Sequence, residues 1–136
     1  MKEVVIVGGV RTPIGNHGGA FRDISAQELA RIAIQGVLQK TGLNPLDLDE
    51  VILGCIGQGS DAPNIARVAA LLAGVPVRVP AFTVQRNCVS GMMALTTAYQ
   101  AIQAGDGEVF LCGGTESMST APYDVVRIAK PSLSEN

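Results

Sequence analysis

Charge is the first thing this sequence has little of. Charged residues make up 16% of its 136 positions, and ten Lys and Arg against twelve Asp and Glu leave a formal net charge of −2. The basic residues are scattered, so no cationic patch is available to neutralise phosphates and no nucleic-acid partner is expected. Long apolar runs are missing as well. Val4-Val5-Ile6-Val7 is too short for a signal-peptide core or a bilayer span, and the apolar stretch after Asp61 is interrupted by Arg67 and closes at Gly74. No membrane association is expected. Cysteine is scarce. Three cysteines form no disulfide framework, none are spaced C-x-x-C, and the single histidine, His17, is remote from them in sequence. That pattern predicts no metal site and a cytoplasmic protein with reduced thiols. Gly8-Gly9 lacks the G-x-G-x-x-G spacing of a dinucleotide site. Low-complexity segments and internal repeats are absent.

What is present is a well-packed globular composition, 47% hydrophobic with 16 Gly, in a chain long enough for one core. Apolar runs alternate with amphipathic segments. Val4–Val10 reads as a buried strand because β-branched residues dominate it. Ser25-Ala26-Gln27-Glu28 has the spacing of a capping box. Leu29, Ile32, Ala33, Gly36 and Val37 follow as an apolar helical stripe, and Gly42 closes the helix. Val51–Ile56 reads as a strand, Asp61–Leu72 as a helix with Pro63 in its first turn, and Ala81–Gln85 as a strand. Cys88–Ala104 reads as a helix ended by Gly105, and Glu108–Cys112 as a fourth strand. The expected fold class is α/β, in the order β-α-β-α-β-α-β, with a mostly parallel sheet flanked by helices and right-handed crossovers. After Ser119 the pattern weakens: Ala121-Pro122-Tyr123 reads as a turn and Asp124–Lys130 as one or two helical turns. The fourth strand has no following crossover, so the domain is expected to be incomplete.

One cysteine sits where chemistry is easy. Cys88 lies between a strand end and a helix start, and ligand sites in open α/β sheets gather at the carboxyl ends of strands. Unsatisfied N–H groups and the helix dipole favour a thiolate there, and Arg86 two residues away adds to the field. Small residues, Ser90 and Gly91, leave room for a substrate. The alternative is that Cys88 is simply a small buried side chain. Cys55 and Cys112, inside apolar strands, read as structural. His17 is a conceivable base for a cysteine nucleophile, but nothing in its Gly-rich loop orders it.

Four segments together resemble thiolases. They are Val7 to Gly15, containing Arg11-Thr12-Pro13-Ile14-Gly15; Asp61-Ala62-Pro63-Asn64-Ile65-Ala66-Arg67; Val84 to Gly91, V-Q-R-N-C-V-S-G; and Gly113-Gly114-Thr115-Glu116-Ser117-Met118-Ser119. They run in the family's order across nearly the whole chain. The family more often has Asn where this chain has Gln85. The resemblance implies a thiolase N-terminal domain over residues 1–119 and the start of a loop region over 120–136. It implies an acyltransferase exchanging acyl groups between coenzyme A thioesters, with acyl-CoA and CoA as substrates, no separate cofactor, and Cys88 as the acylated residue. The backbone N–H of Cys88 would help form an oxyanion hole. A role in fatty acid metabolism and a homodimer or tetramer are implied, with Ala81–Gln85 as the edge strand facing the twofold partner. The family's Gly-His-Pro motif and second catalytic cysteine are not in this sequence. The chain alone is therefore expected to be inactive and poorly stable, either as part of a longer thiolase or as a split subunit completed by a partner. A ketoacyl synthase-like condensing enzyme and a noncatalytic assembly subunit of the same fold are the alternatives. Acyl chain length and reaction direction are not encoded in this stretch.

Overall fold

The structure is a computed structural model in which residues 2–123 are described. The expected helical turns over Asp124–Lys130 lie outside them. Helix α1 spans Ala26–Thr41, followed by a short 3-10 turn at Pro45–Asp47. Strand β1 (Glu50–Gly54), helix α2 (Ile65–Leu72), strand β2 (Ala81–Val84), helix α3 (Ser90–Ala104) and strand β3 (Phe110–Gly114) then alternate. The three strands form one parallel sheet in the order β2-β1-β3, with Val51 opposite both Ala81 and Leu111.

The central strand explains why the sheet has helices on both sides. Val51, Ile52 and Leu53 are all buried, as parallel strands covered on both faces must be. Alternation then sorts their side chains. Val51 and Leu53 join Ala30, Ile34 and Leu38 of α1 and Ala66, Ala69 and Ala70 of α2 in the main core. Ile52 points the other way, against Ala94 and Ala98 of α3.

Helix α1 starts as expected and faces differently. Ser25 Oγ accepts a hydrogen bond from the Glu28 N–H at 3.3 Å, half of a capping box. The Glu28 carboxylate instead accepts two bonds from Arg31, at 2.5 and 2.7 Å. The fully buried column is Ala26, Ala30, Ile34 and Leu38, rotated from the expected stripe, and Ile32 is exposed. The cause is the partner: small residues of α2 let α1 approach closely along that column, while Gly36 faces Val10, whose Cγ2 would lie 3.6 Å from a β-carbon added there. Gly42 closes the helix at φ 68°, and its N–H donates to Leu38 O at 3.0 Å.

Other boundaries shift for identifiable reasons. Helix α2 begins at Ile65 because Asn64 caps it, its Oδ1 accepting from Arg67 N at 3.3 Å. Arg67, the charge inside the apolar stretch, donates to the carbonyls of Val79 and Val77 at 2.7 and 2.9 Å, fixing the approach to β2. Strand β3 begins at Phe110 because the N–H groups of Glu108 and Val109 are taken by the Asp49 carboxylate at 2.7 and 2.9 Å. Those bonds favour the ionised carboxylate and hold its pKa below the ordinary value. Gly113 and Gly114 complete the strand, opposite Leu53 and Gly54. Residues 121–123 are irregular; the turn falls earlier, with Thr120 N donating to Ser117 O at 3.3 Å.

One expectation is corrected. Val4–Val10 is not a strand, and Val5, Ile6 and Val7 are exposed. The segment is held from its sides: Lys2 exchanges hydrogen bonds with the Gln103 side chain at 3.0 and 2.6 Å, and Lys40 Nζ donates to Gly9 O at 2.9 Å. A β-branched run becomes a strand only where a neighbouring strand offers a ladder, and among the described residues no strand pairs with it.

Asn64 ties the start of α2 to β2, since its Nδ2 also donates to Ala81 O and its Oδ1 accepts from Thr83 Oγ1, both at 2.9 Å. Asn64→Ala should lower stability by about 1–3 kcal/mol in chemical denaturation, while Asn44→Ala, at the cap of the exposed 3-10 turn, should cost less than about 1 kcal/mol.

Candidate active site

Strand β2 ends at Val84, and the chain reaches α3 through a tight turn over residues 85–89. Val89 N donates to Arg86 O at 3.2 Å and Ser90 N to Asn87 O at 3.1 Å. Asn87 has φ 50°, and among the described residues it is the one non-glycine with positive φ. Asn is among the residues that tolerate the left-handed region, and such strain clusters at functional sites. The turn is braced from below by Ser90, which is 5% exposed and is the one buried polar residue among those described. Its Oγ accepts from Arg86 N at 2.8 Å and donates to Asn87 O at 2.7 Å.

This elbow projects Cys88, which is exposed. The alternative of a buried structural thiol is excluded for it. Helix α3 starts at Ser90 rather than at Cys88, with Val89 in the N-cap position and no side chain capping it. Cys88 therefore stands just ahead of the first turn. The Arg86 guanidinium bonds Met93 Sδ at 3.4 Å.

The elbow is seated against the sheet by backbone-to-backbone packing. A β-carbon added to Gly54 would lie 2.3 Å from Ser90 C and 2.5 Å from Gly91 N. One on Gly114 would lie 3.3 Å from both Gly54 O and Gly91 Cα. The carboxyl ends of β1 and β3 thus meet the start of α3 where none carries a side chain. An open hollow of about 440 Å³ results, lined by Cys88, Asn87, Cys55, Glu116 and Met118 among others.

The turn after β3 knits the surrounding loops to this seat. Thr115 Oγ1 donates to Ala26 O at 2.7 Å, Ser117 Oγ to Ile24 O at 2.8 Å, and Ser119 Oγ accepts from Gly18 N at 2.9 Å. The Glu116 carboxylate accepts from Ile56 N and Gly57 N at 2.9 and 3.0 Å and from the Cys55 thiol at 3.7 Å. Glu116 belongs to the G-G-T-E-S-M-S motif, but its bonds to residues 60 and 59 positions earlier in the chain have no local signal. His17 is not beside Cys88. It lines a neighbouring hollow with Arg11, Glu116 and Ser119.

The other two thiols are chemically quiet. Burial, with the Glu116 charge second, pushes the Cys55 pKa up to about 12. Burial, with Glu50 second, pushes Cys112 up to about 11. Among the described residues no group of three or more His, Cys, Asp and Glu could hold a metal ion, and no helix is long and apolar enough to cross a membrane.

Known proteins share this sequence and fold. The family model described as the N-terminal domain of thiolase matches residues 4–135. A probable acetyl-CoA acyltransferase of Staphylococcus aureus (strain NCTC 8325 / PS 47) is 45% identical over 122 residues, covering 90% of this chain and 31% of that protein. Its counterpart in the bovine strain RF122 / ET3-1 is 43% identical over the same length. The crystal structure of the Bacillus anthracis acetyl-CoA acetyltransferase superposes with a TM-score of 0.87 at 45% identity, over 90% of this chain and 31% of that one. The chain spans about a third of the length of these relatives, 31%.

The geometry makes two predictions. At pH 8 iodoacetamide should modify Cys88 well ahead of Cys55 and Cys112, read by peptide mass spectrometry, because the latter two hold almost no thiolate. Asn87→Gly should be close to neutral in stability, whereas Asn87→Ala should cost about 1 kcal/mol relative to it in denaturant unfolding, since alanine resists positive φ.

Proposed function

The chain belongs to the thiolase family, and from that premise we propose that it supplies the nucleophilic half of an acyl-CoA acyltransferase, with Cys88 as the residue that is acylated. The observation that carries this is the placement of Cys88: exposed, on a strained elbow, in a hollow at the carboxyl ends of the strands.

In the degradative direction the Cys88 thiolate adds to the 3-keto carbonyl of a 3-ketoacyl-CoA. The bond between C2 and C3 breaks, its electron pair leaves with acetyl-CoA, and a proton from a general acid completes that product. The shortened acyl group remains on Cys88 until the thiolate of CoA attacks and carries it off as acyl-CoA. Thiolate displaces thiolate, so the second step runs between species of similar energy. The Cys88 N–H, beside the start of α3, would stabilise the oxyanion of each tetrahedral intermediate. Run backwards, the same steps condense two acyl-CoA molecules.

Proton removal beside a carbonyl needs a positioned base, and no histidine lines the Cys88 hollow. That supports a base supplied by sequence outside this chain. A covering surface is supported by α3, where Met92, Leu95 and Tyr99 recur at helical spacing and are exposed at 63%, 40% and 45%. β2 lies at one edge of the sheet, which supports pairing with a second subunit in a homodimer or tetramer. A cytoplasmic place in fatty acid metabolism follows from the same reading.

The test is thiolysis of acetoacetyl-CoA, followed by the loss of its enolate absorbance. The 136-residue chain should show no turnover. Joined to the remaining sequence of a family member it should turn over, and Cys88→Ser should lower that rate at least about 1,000-fold. Full turnover by the isolated chain, or activity that survives Cys88→Ser, would overturn the proposal.

A further inference from the structure

We propose that Ser90 is a positioning residue for acyl transfer: its buried hydroxyl sets the orientation of the Asn87–Cys88 peptide plane, and with it the direction of the Cys88 N–H that receives the oxyanion. The inference rests on the reading of Cys88 as the acylated residue, and it deepens that reading by naming what aims the N–H.

This peptide has to be aimed from outside. Val89 N donates to Arg86 O at 3.2 Å, which makes Asn87–Cys88 the central peptide of a four-residue turn. The bond that closes such a turn does not involve the central peptide, and turn types differ in which way that peptide faces. Asn87 is held at φ 50°, a conformation that residues other than glycine seldom adopt, so the orientation chosen here is not the relaxed one.

Ser90 holds that choice. Arg86 N–H can only donate and Asn87 O can only accept, so the hydroxyl between them has one arrangement. It accepts from Arg86 N at 2.8 Å and donates to Asn87 O at 2.7 Å. Ser90 N adds a second, longer bond to the same carbonyl at 3.1 Å. The C=O and N–H of a trans peptide point in opposite directions, and no described peptide bond is cis. Drawing the Asn87 carbonyl onto Ser90 therefore turns the Cys88 N–H away from it, and that N–H donates to no group among the described residues. The anchor itself is immobile. Ser90 is buried, and a β-carbon on Gly54 would stand 2.3 Å from Ser90 C and 2.5 Å from Ser90 O. Val89, in the N-cap position, makes no side-chain bond to α3; the hydroxyl one residue later turns back onto the elbow instead of forward onto the helix.

The experiment compares two reactions of Cys88 in the 136-residue chain joined to the remaining sequence of a family member. Thiolysis of acetoacetyl-CoA passes through tetrahedral oxyanions. Alkylation by iodoacetamide displaces iodide at a saturated carbon and forms none. Loss of a whole oxyanion donor costs about 100- to 1,000-fold, so misdirecting one by Ser90→Ala should lower kcat at least about 10-fold, with alkylation of Cys88 kept within about twofold. Ser90→Thr, which keeps the hydroxyl, should recover most of the lost rate. Thr97→Ala removes a hydroxyl bonded to Met93 O within α3 and should leave both reactions unchanged. An unchanged kcat in Ser90→Ala would sink the proposal. So would an equal fall in both reactions, or alkylation of Cys55 and Cys112 along with Cys88, since either outcome marks a hydroxyl that merely holds the fold. Failure of the acyl-enzyme reading looks different: turnover would survive Cys88→Ser whichever residue stands at position 90.

Discussion

Everything around Cys88 depends on three backbones meeting without side chains. Gly54 at the end of β1, Gly114 at the end of β3 and Gly91 in the first turn of α3 pack so closely that a β-carbon on Gly54 would sit 2.3 Å from the backbone of Ser90. No rotamer change could relieve such a clash, because the neighbouring atoms are main chain. The start of α3 is therefore fixed on the sheet, and the elbow before it inherits that position.

Around this contact the polar groups form a continuous brace. Ser90 is buried and satisfied within the elbow by Arg86 N and Asn87 O. Thr115, Glu116, Ser117 and Ser119 bond backbone from three stretches of the chain, at Gly18, at Ile24 and Ala26, and at Ile56. Buried polar atoms that find partners rigidify a site, and among the described residues no buried side-chain nitrogen or oxygen is left without one. The strain at Asn87 persists because these bonds over-determine the turn.

The same fold leaves apolar surface uncovered. The outward side of α3 and the run Val5-Ile6-Val7 are exposed, while the chain matches about a third of the length of its relatives, 31%. Both features suit a domain that makes up about a third of a longer protein of this family.

Much of this was legible in the sequence because it is local. Periodicity located three helices and three of the strands, Gly42 and Gly105 marked helix ends that adopt φ 68° and 91°, and four motif segments pointed to the thiolase family and to Cys88. The sequence by itself determined the order of elements and which thiol stands at a strand-to-helix junction, since both follow from short-range patterning. Tertiary structure decided the rest. Val4–Val10 has the residues of a strand, but a strand exists only against a partner. The buried column of α1 was chosen by the small residues of α2 facing it. The strain at Asn87, the brace at Ser90 and the reach of Glu116 across to Ile56 and Gly57 come from segments brought together by the sheet, and pairings between residues far apart in the chain leave no periodic trace in the sequence.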